Sequence, residues 1–407
     1  MPYHHLNTLT IFPERLRHNL NVLAKLQPDI QPVPVVKSNA YGHGIKIVAP
    51  MLSDLQIPFV CVDSLYEAFE LEKHGYRGDI LIMGYVDPRD IPRRRNFRYA
   101  VSSLEYALAL VKKFSWIRLH LFLDTGMHRE GLQIEKREKI REKREGFDNI
   151  HPSPWEGGRE SELKEGGLVM GDRDDWKIFD TYTVHHLTLL VPNIEWIMSH
   201  LASPDNTEVS IKQQAVFDET VEQLLSLWIQ PKYIHILASG GLIHSKKYSS
   251  QFTLHSSQFT HLARTGLAFY GYGHPDVLPA LRCTTHIAQI KNIWAGESIG
   301  YDGTFTAEKP MKIAVLPIGY HDGMDRRLSN TGFVTIGGKL CPIVGRVSMN
   351  ITTVDISHLA EAAIGDEVVY IDENPDSPVS LEHQAKRAGM IPYDMLVHLS
   401  KEMFRSV

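Results

Sequence analysis

Eight short runs of strand-forming residues recur along the first two thirds of the chain, and this recurrence limits the fold more than any other feature. They are "VPVV" (33–36), "PFVCVD" (58–63), "DILIMG" (79–84), "YAVSS" (99–103), "IRLHLFLD" (117–124), "IEWIMSH" (194–200), "YIHILAS" (233–239) and "THLART" (260–265). Between many of them lie stretches with helical periodicity, such as 64–74, 104–114 and 207–228. A further helix precedes the first run. Pro13 stands at its start, and Leu16, Leu20, Leu23 and Leu26 recur through "PERLRHNLNVLAKL" at the spacing of one helix face. Eight β-then-α units in succession predict an α/β architecture with a TIM-like (β/α)8 barrel.

The texture changes after residue 272. Short β-like stretches dominate at 286–294, 312–320, 332–338, 341–349, 352–356 and 366–371, with turn residues such as Gly337-Gly338 between them. A helical pattern returns only near 381–388. The expected division is therefore a barrel domain over 1–272 and a mainly β C-terminal domain, a sandwich or barrel, over 273–407. The fifth and sixth barrel strands lie unusually far apart. The segment between them is dense in charge and then rich in Gly, Glu, Ser and Pro. An insertion at about 135–190, disordered or loosely packed, is the reading for such a composition.

Composition excludes several classes of function. The chain has 407 residues and a net charge of −5, so nothing attracts nucleic acid or an anionic membrane in bulk. No apolar run approaches the roughly 20 residues of a membrane span, and the N-terminus lacks the pattern of a secretory signal. Cys61, Cys283 and Cys341 are few and scattered, as in a protein of the reducing cytoplasm. The histidine pairs at 4–5 and 185–186 have no partners at a metal-binding spacing, so no metal site is expected.

The first strand ends at a lysine, in "VPVVKSNAYGHG" (33–44). Chemistry in a (β/α)8 barrel sits where the strands end, so Lys37 is expected to project into the mouth. A lysine at a strand end ordinarily carries its head out to water. One that is desolvated in such a mouth can instead attack an aldehyde and form a Schiff base. Pyridoxal phosphate is the cofactor that most often uses this chemistry, and it needs a phosphate cradle. "ASGG" (238–241) and "ARTGLAFYG" (263–271) close the seventh and eighth strands, where this fold binds phosphate. Gly240, Gly241 and Gly266 would let backbone N–H groups approach an anion.

These residues resemble the alanine racemase family. "VVKSNAYGHG" is similar to its cofactor-lysine signature. "LDTGMHREGL" (123–132), "MSHLASPD" (198–205), "ARTGLAFYG", "GYDGTF" (300–305), "LPIGYHDGMDRRLSN" (316–330), "PIVGRVSMN" (342–350) and "IPYDML" (391–396) look like family segments in the expected order. The resemblance implies that Lys37 carries pyridoxal 5'-phosphate and acts as base on one face of an alanine substrate. It implies Tyr301 as the second base. An ordinary tyrosine titrates near 10, so the family supports this one with a histidine and an arginine, matched by His200 and Arg264. Arg264 would also face the pyridine nitrogen, which it cannot protonate. Phosphate contacts carry over to Tyr41, Ser239, Gly266, Leu267 through its N–H, and Tyr393. Arg129 and Met349 match substrate-carboxylate contacts, and Tyr320 matches a residue that lines substrate entry. In the family Tyr301, Tyr320 and Met349 reach the partner's cofactor, so a homodimer with composite sites is implied. The resemblance also implies a role in making D-alanine for peptidoglycan. A serine or broader amino-acid racemase is the near alternative, and a non-catalytic pyridoxal phosphate-binding protein the distant one.

Three positions depart from the family pattern. Phe122 stands where many members have a carbamylated lysine that holds the active-site arginine. Asn350 replaces a frequent aspartate, and "ASGG" replaces a more usual Asn-Ser pair. They bear on positioning and substrate preference rather than on reaction class.

Overall fold

The computed structural model describes residues 5–55, 57, 59–134, 179–244 and 259–407. Strand β1 (Thr8–Ile11) and helix α1 (Pro13–Leu26) come first. Pro13 opens α1, where a missing N–H is no loss, and Leu16 and Leu23 are buried. All eight expected barrel strands follow: β2 (Ile30–Pro34), β3 (Phe59–Val62), β4 (Asp79–Ile82), β5 (Phe97–Val101), β6 (Leu119–Asp124), with a two-residue β7 (Leu132–Gln133) beside it, β8 (Ile194–Met198), β9 (Tyr233–Ala238) and β10 (Thr260–Thr265). Their order in the sheet is β2-β10-β9-β8-β6-β5-β4-β3, a nearly closed parallel barrel. One backbone bridge, Val35 to Cys61, joins its two ends.

The helices between the strands are α2 (Ile45–Asp54), α3 (Leu65–Lys73), α4 (Leu104–Lys113), α5 (Thr181–Leu190), α6 (Thr207–Ser226) and α7 (Ser239–His244). Four of them start at a side chain that accepts a hydrogen bond from the first turn: Ser64, Ser103, Asp180 and Asn206. Such caps satisfy N–H groups that have no partner within the helix.

Two sequence expectations are revised here. Lys37 is not the last residue of its strand. β2 ends at Pro34, whose successor Val35 makes the closing bridge, and Lys37 stands just beyond that seam. The expected insertion does not extend to residue 190. Residues 135–178 lie outside the described residues, but Thr181–Leu190 form α5, with Leu187 and Leu190 buried.

The C-terminal part is mainly β, as expected. Its strands are β11 (Leu281–His286), β12 (Gln289–Ile293), β13 (Ser298–Ile299), β14 (Phe305–Thr306), β15 (Met311–Leu316), β16 (Phe333–Ile336), β17 (Lys339–Pro342), β18 (Thr352–Asp355), β19 (Glu367–Ile371) and β20 (Phe404–Ser406). Helices α8 (Leu381–Arg387) and α9 (Pro392–Val397) precede β20. A six-stranded sheet runs β17-β16-β19-β11-β1-β20. The N-terminal strand β1 is thus one of its inner members, antiparallel to β11 and parallel to β20. It buries Leu9 and Ile11 on one face, the alternation of a half-buried strand.

Contacts within the chain fall into two compact units. The larger holds the described residues up to Tyr99, those from Leu237 into α7, and Thr260–Val407; the smaller begins at Ala100 and ends its main run at Ile236. Within the larger unit, Asn19 of α1 ties the helix to the loop after β10. Its amide donates to the carbonyls of Phe269 (3.0 Å) and Leu278 (2.9 Å) and accepts from Leu278 N–H at 2.7 Å. The side chain is fully buried. Asn19→Ala should lower unfolding stability by roughly 2 kcal/mol, because backbone groups lose their partners while the fold keeps them desolvated; a denaturant titration reads the loss as a lower midpoint at constant slope.

Candidate active site

Lys37 begins a turn of unusual backbone. Ser38, Asn39 and Ala40 have φ/ψ near +54°/+50°, and Tyr41 has φ +49°. Four successive non-glycine residues therefore lie in the left-handed region. Each pays roughly 1–2 kcal/mol of steric strain. Such a run persists only where its surroundings specify it from several sides.

The specification can be followed atom by atom. Within the turn, Gly42 N–H donates to Ser38 O (3.1 Å) and Gly44 N–H to Asn39 O (2.9 Å). Asn39 Oδ1 accepts from Ile45 N–H at 3.0 Å, which also satisfies the start of α2. Glu67 Oε1 accepts from Ser38 N–H at 2.5 Å. From β20, Arg405 donates through Nε to Gly42 O at 3.0 Å and through its other nitrogens to the carbonyls of Ser400, Lys401 and Met403. Gly42 has φ +79°, and a Cβ there would stand 2.2 Å from Leu396 O of α9. The glycine thus serves both the backbone conformation and a close approach. The two C-terminal elements clamp the turn.

The cradle lies on the same unit. Ser239 Oγ, at the end of β9, accepts from Gly266 N–H at 3.0 Å and from Ala268 N–H at 3.3 Å. Tyr41 packs its hydroxyl over Gly266 so closely that a Cβ at 266 would meet it at 2.6 Å. Tyr41 also faces Tyr393, with ring centroids 5.8 Å apart. Burial first, then the neighbouring Tyr393, pushes the Tyr41 phenol upward in pKa, so it is a hydroxyl donor at neutral pH. Arg264 is buried on β10 beside Val33. Its charge, like that of Lys37, acts on the buried Cys61 thiol, yet burial dominates and pushes that thiol up to about 12. Lys37 Nζ donates to Asp63 Oδ1 at 3.2 Å.

The donor set fits a phosphorylated aldehyde. An amine stands at the barrel seam, two backbone N–H groups converge on one hydroxyl, a phenol lies over the glycine, and a buried guanidinium is at hand. Sequence reasoning named Lys37, Tyr41, Ser239, Gly266, Arg264 and Tyr393, and the structure places them on one unit, with Tyr41 against Gly266 and Tyr393. It expected the N–H of Leu267 as a phosphate contact, whereas those turned onto Ser239 belong to Gly266 and Ala268. It missed Ala268, His43, Asp63, Glu67 and Arg405. Ser64 and Glu67 form a capping box at the start of α3, a spacing that marks a helix start but not the reach of Glu67 to Ser38.

Tyr301, Tyr320 and Met349 come together on a different surface. With Arg326, Ser348 and His398 they line a cavity of about 660 Å³. The three side chains are exposed, Tyr301 by 67%. Ion pairing of Asp302 with Arg346 (2.9 Å) steadies the turn that presents Tyr301. Tyr320 N–H donates to Ser348 O, and His321 N–H to Met349 O, joining the other two segments. On the smaller unit, His200 follows β8 and its carbonyl accepts from Gln213 Nε2 at 3.3 Å. Arg129 lies between β6 and β7 and pairs with Glu130 at 3.0 Å. Phe122, the departure noted above, is buried on β6.

His43 closes the left-handed turn from inside. It is fully buried, stacks on Tyr270 at 4.3 Å, and its Nδ1 lies 3.0 Å from Tyr41 O. Burial lowers its pKa to about 4, against the pull of its backbone hydrogen bonds. The unfolded chain takes up this proton near 6.5, before the folded one does, so the stability held above that pH is lost as pH falls toward 4. Unfolding free energy should drop by roughly 3 kcal/mol over that window through this residue, and His43→Gln should flatten that part of the pH dependence in urea titrations.

Comparison with known proteins agrees with this geometry. The model of the alanine racemase N-terminal domain matches residues 11–153, and that of the alanine racemase C-terminal domain matches residues 280–407. The alanine racemase of Syntrophobacter fumaroxidans is 31% identical, over 96% of this chain and 94% of that protein. Among solved structures, the alanine racemase of Clostridium difficile 630 superposes with a TM-score of 0.77 at 24% identity, covering 99% of this chain and 96% of that one. That of Bartonella henselae, which has covalently bound pyridoxal phosphate, gives 0.71 at 24% identity, covering 100% and 99%. With both halves of its architecture matched and a 31% identical relative along its length, the chain belongs to the alanine racemase family.

Proposed function

We propose that the protein interconverts L- and D-alanine as a pyridoxal 5'-phosphate-dependent racemase, acting as a cytoplasmic homodimer with composite sites and supplying D-alanine for peptidoglycan. The observation that carries this reading is the strained turn holding Lys37 at the barrel seam beside the Ser239–Gly266–Tyr41 cradle. Membership of the family supports the reaction class.

Bound through Lys37, pyridoxal phosphate supplies an electron-withdrawing ring that acidifies the α-proton of an attached amino acid. The residues of the chain do the rest. Ser239, Tyr41, Tyr393 and the backbone N–H groups of Gly266 and Leu267 hold the phosphate. Arg264 would stand at the pyridine nitrogen, with no proton to give it, and would limit how far charge drains into the ring. Lys37 moves a proton on one face of the α-carbon. Tyr301 of the partner subunit moves one on the other, with His200 and Arg264 steadying its charge. Met349 and Arg129 orient the carboxylate, and Tyr320 lines the way in. The exposure of Tyr301, Tyr320 and Met349 supports the dimer, since residues offered to another copy must lie at the surface of their own. Among the described residues, no helix is long and apolar enough to cross a membrane, and no cluster of three or more His, Cys, Asp or Glu is placed to hold a metal.

Lys37→Ala should abolish the visible absorbance of the bound cofactor; an unchanged spectrum would mean that another lysine carries it. Tyr301→Phe should slow exchange of the α-proton with deuterated solvent by about 10²–10⁴ from one enantiomer of alanine and spare the other. Equal loss or equal retention with both enantiomers would remove it from this role. Turnover of serine at the rate of alanine would broaden the substrate.

A further inference from the structure

The turn that carries Lys37 is met by two carboxylates that the roles above leave unused. Glu67 serves as a backbone anchor. Its Oε1 accepts from Ser38 N–H, and its Oε2 from Asp63 N–H at 2.9 Å and Ser64 N–H at 3.2 Å. One carboxylate therefore ties the residue after Lys37 to the residue that follows β3. The carbonyl of Asp63 is held in turn by Gly84 N–H at 2.8 Å. A Cβ on Gly84 would stand 2.5 Å from that oxygen, so the approach requires glycine. With its backbone pinned at both ends, Asp63 presents its side chain to Lys37 Nζ at 3.2 Å.

Other ionisable groups of this cluster can be weighed against Asp63. The thiol of Cys61 and the phenol of Tyr41 are both pushed up by burial and carry no charge at neutral pH. Arg264 is a cation. The Glu67 carboxylate is occupied by three backbone N–H groups. The anion in contact with the amine is Asp63.

We propose that Asp63, held in place by Glu67 and Gly84, is a positioning residue for Lys37. It holds the amine aimed across the seam, in contact with a carboxylate, until a carbonyl carbon displaces the pair. An ammonium has no lone pair, so the amine must leave Asp63 and give its proton to solvent water before it attacks a carbonyl carbon, and breaking this ion pair becomes a step that cofactor loading must pass. The side chains are 37% and 56% exposed, which makes the pair modest in strength and sensitive to salt. A contact of that strength is one that a binding cofactor can displace.

The inference rests on Lys37 as the cofactor lysine, but its test needs no cofactor. The full-length apoprotein is acylated with limiting acetic anhydride at neutral pH and low salt, and the modified lysines are counted by mass spectrometry. Lys46, exposed on α2, is the internal reference. Asp63→Asn should raise the acylation rate of Lys37 relative to Lys46 roughly two- to fivefold, the range of an exposed ion pair. Asp63→Glu should bring it back toward the wild-type rate. In 1 M salt the difference between wild type and Asp63→Asn should shrink, which a merely structural effect would not do. Equal Lys37 rates in wild type and Asp63→Asn at low salt overturn the inference, as does a difference indifferent to salt. Neither result touches the racemase reading, whose own test is the loss of cofactor absorbance in Lys37→Ala.

Discussion

The architecture depends on one strained element, the left-handed turn from Ser38 to Tyr41 that follows Lys37. Four left-handed residues together carry roughly 4–8 kcal/mol of strain, a large share of the net stability of a typical domain. They are kept in place by groups remote in sequence: Glu67 at the start of α3, Leu396 on α9, and Arg405 on β20. The geometry of the amine therefore belongs to the whole of the larger unit rather than to the first barrel strand. This gives β1 and β20 a clear purpose. By pairing with each other inside the C-terminal sheet, they bring Arg405 to the turn with its four carbonyl partners, and the chain ends two residues later.

The same logic separates two kinds of functional residue. Tyr41, Ser239, Gly266 and Arg264 are buried and Lys37 is half-buried, and Ser239 accepts from the backbone of Gly266. Their geometry is complete within the chain. Tyr301, Tyr320 and Met349 are exposed around a cavity of their own. In the proposed dimer the reacting centre would be assembled where the cradle of one copy meets the exposed surface of the other. Arg129, paired with the exposed Glu130, stands near the Phe122 departure in sequence; phenylalanine on β6 offers no polar group to hold it.

Much of the barrel was legible because its strands are buried on both sides and read as unbroken apolar runs; Phe59–Val62 and Phe97–Val101 are buried at every position. The helices were legible from periodicity, and the start of the first from Pro13. β1 escaped notice because it is only four residues long, and its partners lie more than two hundred residues away in β11 and β20. Helix α5 was hidden for a different reason. It follows a charged, glycine-rich stretch whose composition dominated the reading of the whole interval, though Leu187 and Leu190 are buried. In the site, the expected residues were named from shared motifs, while Arg405, Glu67 and His43, the last inside such a motif, were passed over, because their contacts are to backbone atoms that no local pattern announces.

The sequence by itself determined the succession of elements, the class of barrel, the lysine that ends its first unit and the glycines that allow close approach. Those properties follow from local sterics and from the periodicity of apolar residues, which each stretch of chain carries with it. The left-handed conformation after Lys37, the placement of Asp63 against its amine and the clamp from Arg405 were decided only by the tertiary structure. Each needs hydrogen bonds between segments distant in sequence, and their geometry exists only once the barrel seam has closed and the C-terminal strands have packed.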